Sequence, residues 1–549
     1  MRLPIPAMVI GLSLASGGVA HATDLDVLVK GAKLHSANGL ASDGLGHLYA
    51  ASVFGNEIVK IRELDGKILS RRGMADGVQF PDDLTLGPDG SIYWTSLLVG
   101  QVGRRKPNGV TSFQSVAPGV NPITFSNGHR LFTALAFLGD ALYELSPTFS
   151  APPRLITTNL GFVNGMDWGP DGRLYGPVSL GKEIISIDVD SCENATDPYN
   201  ECDITLIADD FFQVSALKFD AFGRLFAVDI NGDVLRINVA TGAKSVVARL
   251  PLGNDNLTFD SWGRVVVSNG YDGTITRINY NGSRTILVPG GAIVPSGVAV
   301  LADGCDESVF VGDFIKLRTF DGDTGKQTAF APTLAGVPGA LPPSITASRD
   351  GDHILTTAWY GNSVAVWDPA AEAVVETYPG YVQPLNAIKF QGHLVVAEYG
   401  AAPGAARVIL QVGATRITLT DTLAVPTGLA AAGDDLWAAD WSSGTVWQLI
   451  DDGVHLASPL LVAYGLSNPE GLAVDLDGTL LVVEAGAGRL SRIDPDTGVV
   501  WTVVSGLSPG LPAPAATPPS YFFSGVDVGP SGTIYFSNDA SSRVYRLTD

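Results

Sequence analysis

Glu470-Gly471-Leu472-Ala473-Val474-Asp475-Leu476-Asp477-Gly478-Thr479-Leu480-Leu481-Val482-Val483-Glu484 is an apolar run, a turn, and a second apolar run closed by an acid. An Asp-Gly pair between two β-prone segments is a hairpin signal. The same order recurs from Asn38-Gly39-Leu40-Ala41, Asn164-Gly165-Met166-Asp167, Ser296-Gly297-Val298-Ala299 and Thr427-Gly428-Leu429-Ala430. Aligned two residues before the first apolar position, the copies begin at Asn38, Asp82, Asn121, Asn164, Ser215, Asp255, Ser296, Pro343, Asn386, Thr427, Glu470 and Ser524. The mean step of about 44 residues is the period of a four-stranded propeller blade. Between Asn164 and the next start lie four β-rich runs, Met166 to Trp168, Arg173 to Pro177, Glu183 to Asp188 and Ile204 to Ile207. No segment keeps a helical period, and a parallel β-helix would repeat at a shorter interval without regular turn pairs. The expected fold is all-β, with twelve four-stranded blades.

The chain has 549 residues, 46% of them hydrophobic, enough for a large core and unlike a disordered or fibrous protein. Its formal charge of −22 repels phosphate backbones and anionic lipid, so neither nucleic acid nor membrane is an expected partner. Residues 1–22 read as a signal peptide. Arg2 precedes an apolar stretch from Pro6 to Val19, and Ala20-His21-Ala22 supplies the small-x-small cleavage pattern. Cleavage after Ala22 would deliver a secreted or periplasmic protein. Cys192 and Cys202 bracket a polar insertion and suit a small disulfide loop, leaving Cys305 as a buried thiol. Three cysteines and seven scattered histidines give no zinc or haem spacing, and there is no Gly-x-Ser-x-Gly elbow, P-loop or dinucleotide fingerprint.

The repeats resemble those of NHL proteins and of the senescence marker protein/gluconolactonase family, with paraoxonases and strictosidine synthases as more distant relatives. Because such families close at six blades, the resemblance implies tandem six-bladed β-propellers over 23–289 and 290–549, divided at Pro289-Gly290-Gly291. A split of seven and five would leave one ring too small. Asp26-Val27-Leu28-Val29 reads as an outer strand with no repeat before it, and the last repeat lacks its own outer strand. The expected closure gives the N-terminal strand to the blade beginning at Asp255, and Arg284 to Val288 to the blade beginning at Ser524.

First strands line a propeller's channel, so the repeat starts form two rings. Asn38, Asp82, Asn121, Asn164, Ser215 and Asp255 are mostly carboxylates and carboxamides. Ser296, Pro343, Asn386, Thr427, Glu470 and Ser524 are mostly hydroxylic or neutral. Convergent Asp and Asn oxygens suit a hard cation such as Ca²⁺. The gluconolactonase-like resemblance implies metal ligands at Asn121, Asn164 and Asp255, with Asp82 as acidic partner. Asp255-Asn256-Leu257 also resembles the Asp-Asn-apolar pair of the paraoxonase calcium site. Three departures stand out: Ser215 intervenes between Asn164 and Asp255, no glutamate opens the first repeat, and the paraoxonase histidine pair has no counterpart. Asp255 is the expected catalytic residue, orienting or deprotonating water. Asn38, Asp229, Asn256 and Asn269 are candidate substrate contacts, with Tyr271 beside them. Trp359, Glu398, Trp441 and Glu484 stand at matching places in the second propeller.

The expected function is an exported, divalent-metal-dependent hydrolase of a lactone or ester, sited in the first propeller. Two alternatives stay open: a non-catalytic NHL-like scaffold binding a glycan or peptide, and a lyase or condensing enzyme of strictosidine-synthase type.

Overall fold

The computed structural model describes residues 24–136, 138–179, 181–192, 202–304, 306–314, 316–332, 341, 346–512 and 523–548. Residues 1–23, which include the expected signal peptide, the interior of the cysteine loop, Cys305 and Pro343 lie outside them. Each repeat folds into one four-stranded antiparallel sheet, giving twelve sheets and two single-turn 3₁₀ segments, Met74–Asp76 and Ala485–Ala487, among the described residues. The quoted stretch shows why. Leu472 and Val482 pair across a hairpin whose turn is closed by Gly478 N–H donating to Asp475 O at 3.0 Å. Gly478 sits at φ 86°, a conformation that costs glycine little.

We number the blades in chain order. The inner strands of blades one to six are Leu40–Ser42, Pro81–Leu86, Val120–Phe125, Asp167–Trp168, Val214–Phe219 and Asn254–Phe259. Those of blades seven to twelve are Val298–Asp303, Ser348–Asp350, Pro384–Phe390, Pro426–Ala432, Pro469–Val474 and Val526–Val528. Each inner strand lies against those before and after it, the sixth returning to the first and the twelfth to the seventh, so the chain forms two six-bladed rings. Apolar residues between adjacent blades form the core, as where Ile123 and Tyr93 pack together.

Backbone bonds also join neighbouring inner strands: Gly39 N–H donates to Asp82 O at 2.7 Å, and Gly525 N–H to Ser296 O at 2.9 Å. That close approach explains the glycine in second place of the repeat. A Cβ on Gly428 would lie 2.4 Å from Glu470 O, and one on Gly297 only 2.3 Å from Ala347 N.

Closure differs from the expected scheme. Arg284–Val288 pairs with Ile275–Ile278 and is the outer strand of its own blade six. Asp24–Val29 pairs with Arg543–Thr548 and completes blade twelve, with Arg546 and Asp26 in an ion pair at 3.1 Å. The reason is chain entropy: a strand separated from its neighbour by a short turn pairs with it at little loop-closure cost. The one blade left open is the last, and the N-terminal strand fills it. From Asp24 the chain therefore runs from the second propeller through the whole first propeller and back.

The rings meet through an apolar cluster that joins Val53, Phe80 and Phe54 to Ile293, Val294 and Phe314, with the Phe54 and Phe314 ring centres 4.2 Å apart. Beside it, the fully buried Arg318–Asp313 ion pair sends guanidinium N–H bonds to Tyr271 O and Gly291 O at 3.1 and 2.7 Å. Cys192 and Cys202 form the expected disulfide.

Candidate functional site at the mouth of the first propeller

The repeat starts are irregular for a structural reason. In blades two, three and six the inner strand's pairing skips Asp82-Asp83, Asn121-Pro122 and Asp255-Asn256, and in blades ten and eleven it skips Thr427-Gly428 and Glu470-Gly471. Two residues facing one is a β-bulge, which re-aims side chains at a barrel or ring rim. Blade nine corrects the sequence alignment. Its bulge lies between Pro384 and Asn386, so Leu385, not Asn386, holds the ring position there.

Ring residues then divide by what they do. Many fasten one blade to the next. Ser215 Oγ donates to Asn254 O at 3.0 Å, Thr427 Oγ1 donates to Pro469 O at 2.8 Å, and Glu470 accepts Ser524 N–H at 2.6 Å. Asn164 Oδ1 accepts Gly165 N–H at 2.9 Å, while Asn38 Oδ1 accepts Ser36 Oγ–H at 2.8 Å. Asp82 is different: it is buried, and among the described residues no hydrogen bond reaches its carboxylate.

Burial and the neighbouring Asp255 and Asp83 charges hold the Asp82 carboxyl well above the usual carboxylate range. Asp255 is pushed up to about 7, by burial first and by Asp83 second, against a hydrogen bond from the Asn38 side chain. Asn121 is buried in the adjacent blade three. The structure thus brings Asp82 and Asp255 together with Asn38 at the channel mouth.

The candidate substrate contacts are otherwise engaged. Asn256 accepts Leu257 N–H and donates to Asp83 at 3.0 Å. Asn269 accepts from Tyr271 and Asp272 N–H and donates to Leu252 O. Asp229 accepts Phe212 and Gln213 N–H at 2.9 and 3.0 Å. Glu398 takes Val382 N–H and Glu484 takes Ser467 N–H in the same manner. Where an acid closes a repeat, as these three do, it pins the loop leading into its own blade. Trp359 packs with Leu385, Val425 and Phe523 over the second channel, with Trp441 against them.

Sequence reasoning missed the groups filling the first channel below its mouth. Asp83 accepts Leu84 and Ile123 N–H as well as the Asn256 amide, and Lys218 donates to Met166 O at 3.0 Å, with Asp167 at 3.9 Å. The signal was present: Asp83 stands where half the copies carry glycine, and Asp167 and Lys218 share one repeat position in consecutive blades. Asn254 was missed too. It is buried with neither side-chain polar atom partnered among the described residues, at a position that is Pro or Val in blades two, three and five.

A hard cation requires oxygen donors, which Asp82, Asp255 and Asn121 supply by residue type. Among the described residues no three carboxylate, imidazole or thiolate side chains converge as a ligand group, so carboxamide oxygens and water would have to complete any shell.

No protein family and no curated protein matches the chain. Among solved structures it is similar to virginiamycin B lyase of Staphylococcus aureus, at 16% identity and TM-score 0.37 over 52% of this chain and 95% of that one. A gluconolactonase of Xanthomonas campestris aligns at 17% identity and TM-score 0.35 over 45% of this chain and 87% of that one. PorZ of Porphyromonas gingivalis, a surface component of a type-IX secretion system, aligns over 95% of this chain and 86% of its own, at 10% identity and TM-score 0.37. At these identities and TM-scores none of them bears on activity.

Proposed function

We propose that the chain is an exported hydrolase of a lactone or ester, and that the mouth of the first propeller holds a divalent cation, Ca²⁺ by the chemistry of its donors. One observation carries the reading. Asp82 is a buried ring carboxylate with no fastening bond among the described residues, and its neighbour is a second carboxylate, Asp255. Two such groups held together repel unless a cation or a proton lies between them. By contrast, Glu470, the carboxylate of the second ring, accepts a backbone N–H from the next blade.

Asp82 and Asp255, with Asn121, are the residues that would hold the ion; when bound it would polarise a substrate carbonyl. The chain's own groups would do the rest. The Asn38 side chain orients Asp255 by hydrogen bonding. Beside the ion Asp255 would be held ionised, and a carboxylate there is suited to orient a water and accept its proton as that water attacks the carbonyl carbon. The Asp83–Asn256 and Lys218–Asp167 contacts occupy the ring beneath, so substrate would approach from the mouth.

The test is metal analysis of the purified protein before and after chelation, joined to hydrolysis assays on a set of lactones and aryl esters. Bound calcium together with activity lost on chelation and in Asp255→Asn is the expected result. A protein that neither retains nor responds to a divalent ion would favour the binding-scaffold alternative.

A further inference from the structure

The second propeller's channel is built differently from the first. Beneath its mouth the repeat's second position holds Gly297, Gly428, Gly471 and Gly525, where the first propeller has Asp83, Pro122 and Asn256 among its six. The space left is a cavity of about 310 Å³, within the range of small-molecule sites. Leu385 and Phe523 line it where the Trp359 cluster covers one end. Toward the other end it is lined by Arg349, Asp350, Lys389 and Asp527, with Asn386 and Glu470 between.

Five of these groups are held by neighbours, Glu470 by Ser524 N–H, and one, Arg349, is not. Lys389 and Asp350 pair at 3.7 Å, and Asn386 Oδ1 accepts Ser348 Oγ–H at 3.1 Å. Asp527 is fixed by Val300 and Val528 N–H at 2.8 and 2.9 Å, one to each oxygen, which leaves each oxygen a second lone pair for a ligand. Arg349 is exposed, and its guanidinium has no ion pair and no hydrogen bond among the described residues. It is close enough to Asp527 to act on its charge, yet the two do not form a salt bridge. The channel thus presents one rigid carboxylate and one uncommitted guanidinium, of opposite sign and apart from each other. A guanidinium receives a carboxylate in a paired, planar contact, and a carboxylate receives an ammonium.

We propose that the channel of the second propeller is a binding site for a small zwitterion of the amino-acid class, with the ligand carboxylate on Arg349 and its ammonium on Asp527. The site is distinct from the first-propeller mouth and needs no metal. A purely anionic ligand would face Asp527, Asp350 and Glu470, and a purely cationic one would leave Arg349 unused. Only a molecule carrying both charges satisfies both ends.

The experiment is isothermal titration of the full chain, in chelator, with L-leucine and with glycylglycine. N-acetyl-L-leucine, which lacks the ammonium, and L-leucinamide, which lacks the carboxylate, form the comparison arms. At least one zwitterion should bind at least tenfold more tightly than either single-charge analogue. Arg349→Gln and Asp527→Asn should each weaken it tenfold or more, and Ala431→Trp, which fills the cavity from its wall, should abolish binding. Circular dichroism and the melting temperature report folding of each variant; Arg349→Gln removes no described bond, so its effect reads the site directly. No binding of either zwitterion, or equal binding of the single-charge analogues, overturns the proposal. Because chelator is present throughout, failure here leaves the reading of the first propeller standing, and the reverse also holds.

Discussion

Asp255→Asn tests the central electrostatic claim in the chelated protein. The native carboxyl of Asp255 stands at about 7 against an ordinary 3.8. A carboxyl raised on folding makes the native state bind more protons than the unfolded chain between those values, so stability falls as pH rises through that window. The gap of about three pH units, at ~1.4 kcal/mol each, bounds the cost of the charge at ~4 kcal/mol. Asp255 is partly exposed at the mouth, and solvent screening there brings the expected cost to roughly 2 kcal/mol. For a ring of this size that is roughly 4–8 °C in melting temperature. Scanning calorimetry in chelator should therefore show the wild type losing that much between pH 4 and pH 8, and Asp255→Asn losing much less, so that the variant melts higher at pH 8. Added Ca²⁺ should reverse the order, since an ion at about a hundred times its Kd contributes ~2.7 kcal/mol to a protein that holds it. A chelated wild type with a flat profile over that range, or a variant melting lower at pH 8, would refute the reasoning.

Three further outcomes follow from the fold. Deleting residues 24–29 should lower the melting of the second propeller and leave that of the first unchanged, because this strand completes blade twelve; calorimetry resolving two transitions would show which one moves. Gly428→Ala should destabilise the second propeller by about 2–3 kcal/mol in denaturant titration, since its Cβ would lie 2.4 Å from a backbone oxygen with no flexible side chain to yield. Asp313→Ala should cost about 3–5 kcal/mol by leaving Arg318 buried without its charge partner, and should speed proteolysis between the propellers; Asp313→Asn should recover part of the loss by still accepting Ile293 and Val294 N–H.

The blades themselves were legible in the chain. Leu472 and Val482 are apolar because they face neighbouring blades, and Asp477-Gly478 is there because the turn between them needs a residue at positive φ. Such requirements are local, repeat every blade, and leave a period that can be read without coordinates. Twelve repeats, their inner strands and the acidic character of the first ring follow from them.

What stayed hidden depends on partners distant in sequence. Asp26 to Val29 could complete any open edge, and only the proximity of Arg543–Thr548 decides which. Leu385 and Asn386 differ in role by one residue because a bulge shifts the register there, and a bulge is a property of two strands together. Glu470 and Asp82 are both ring acids, yet one has a backbone N–H of the next blade within 2.6 Å and the other has another acid beside it. A side chain's type says what it can bond; whether that capacity is spent on the fold or left over for a ligand depends on what the closed ring places next to it.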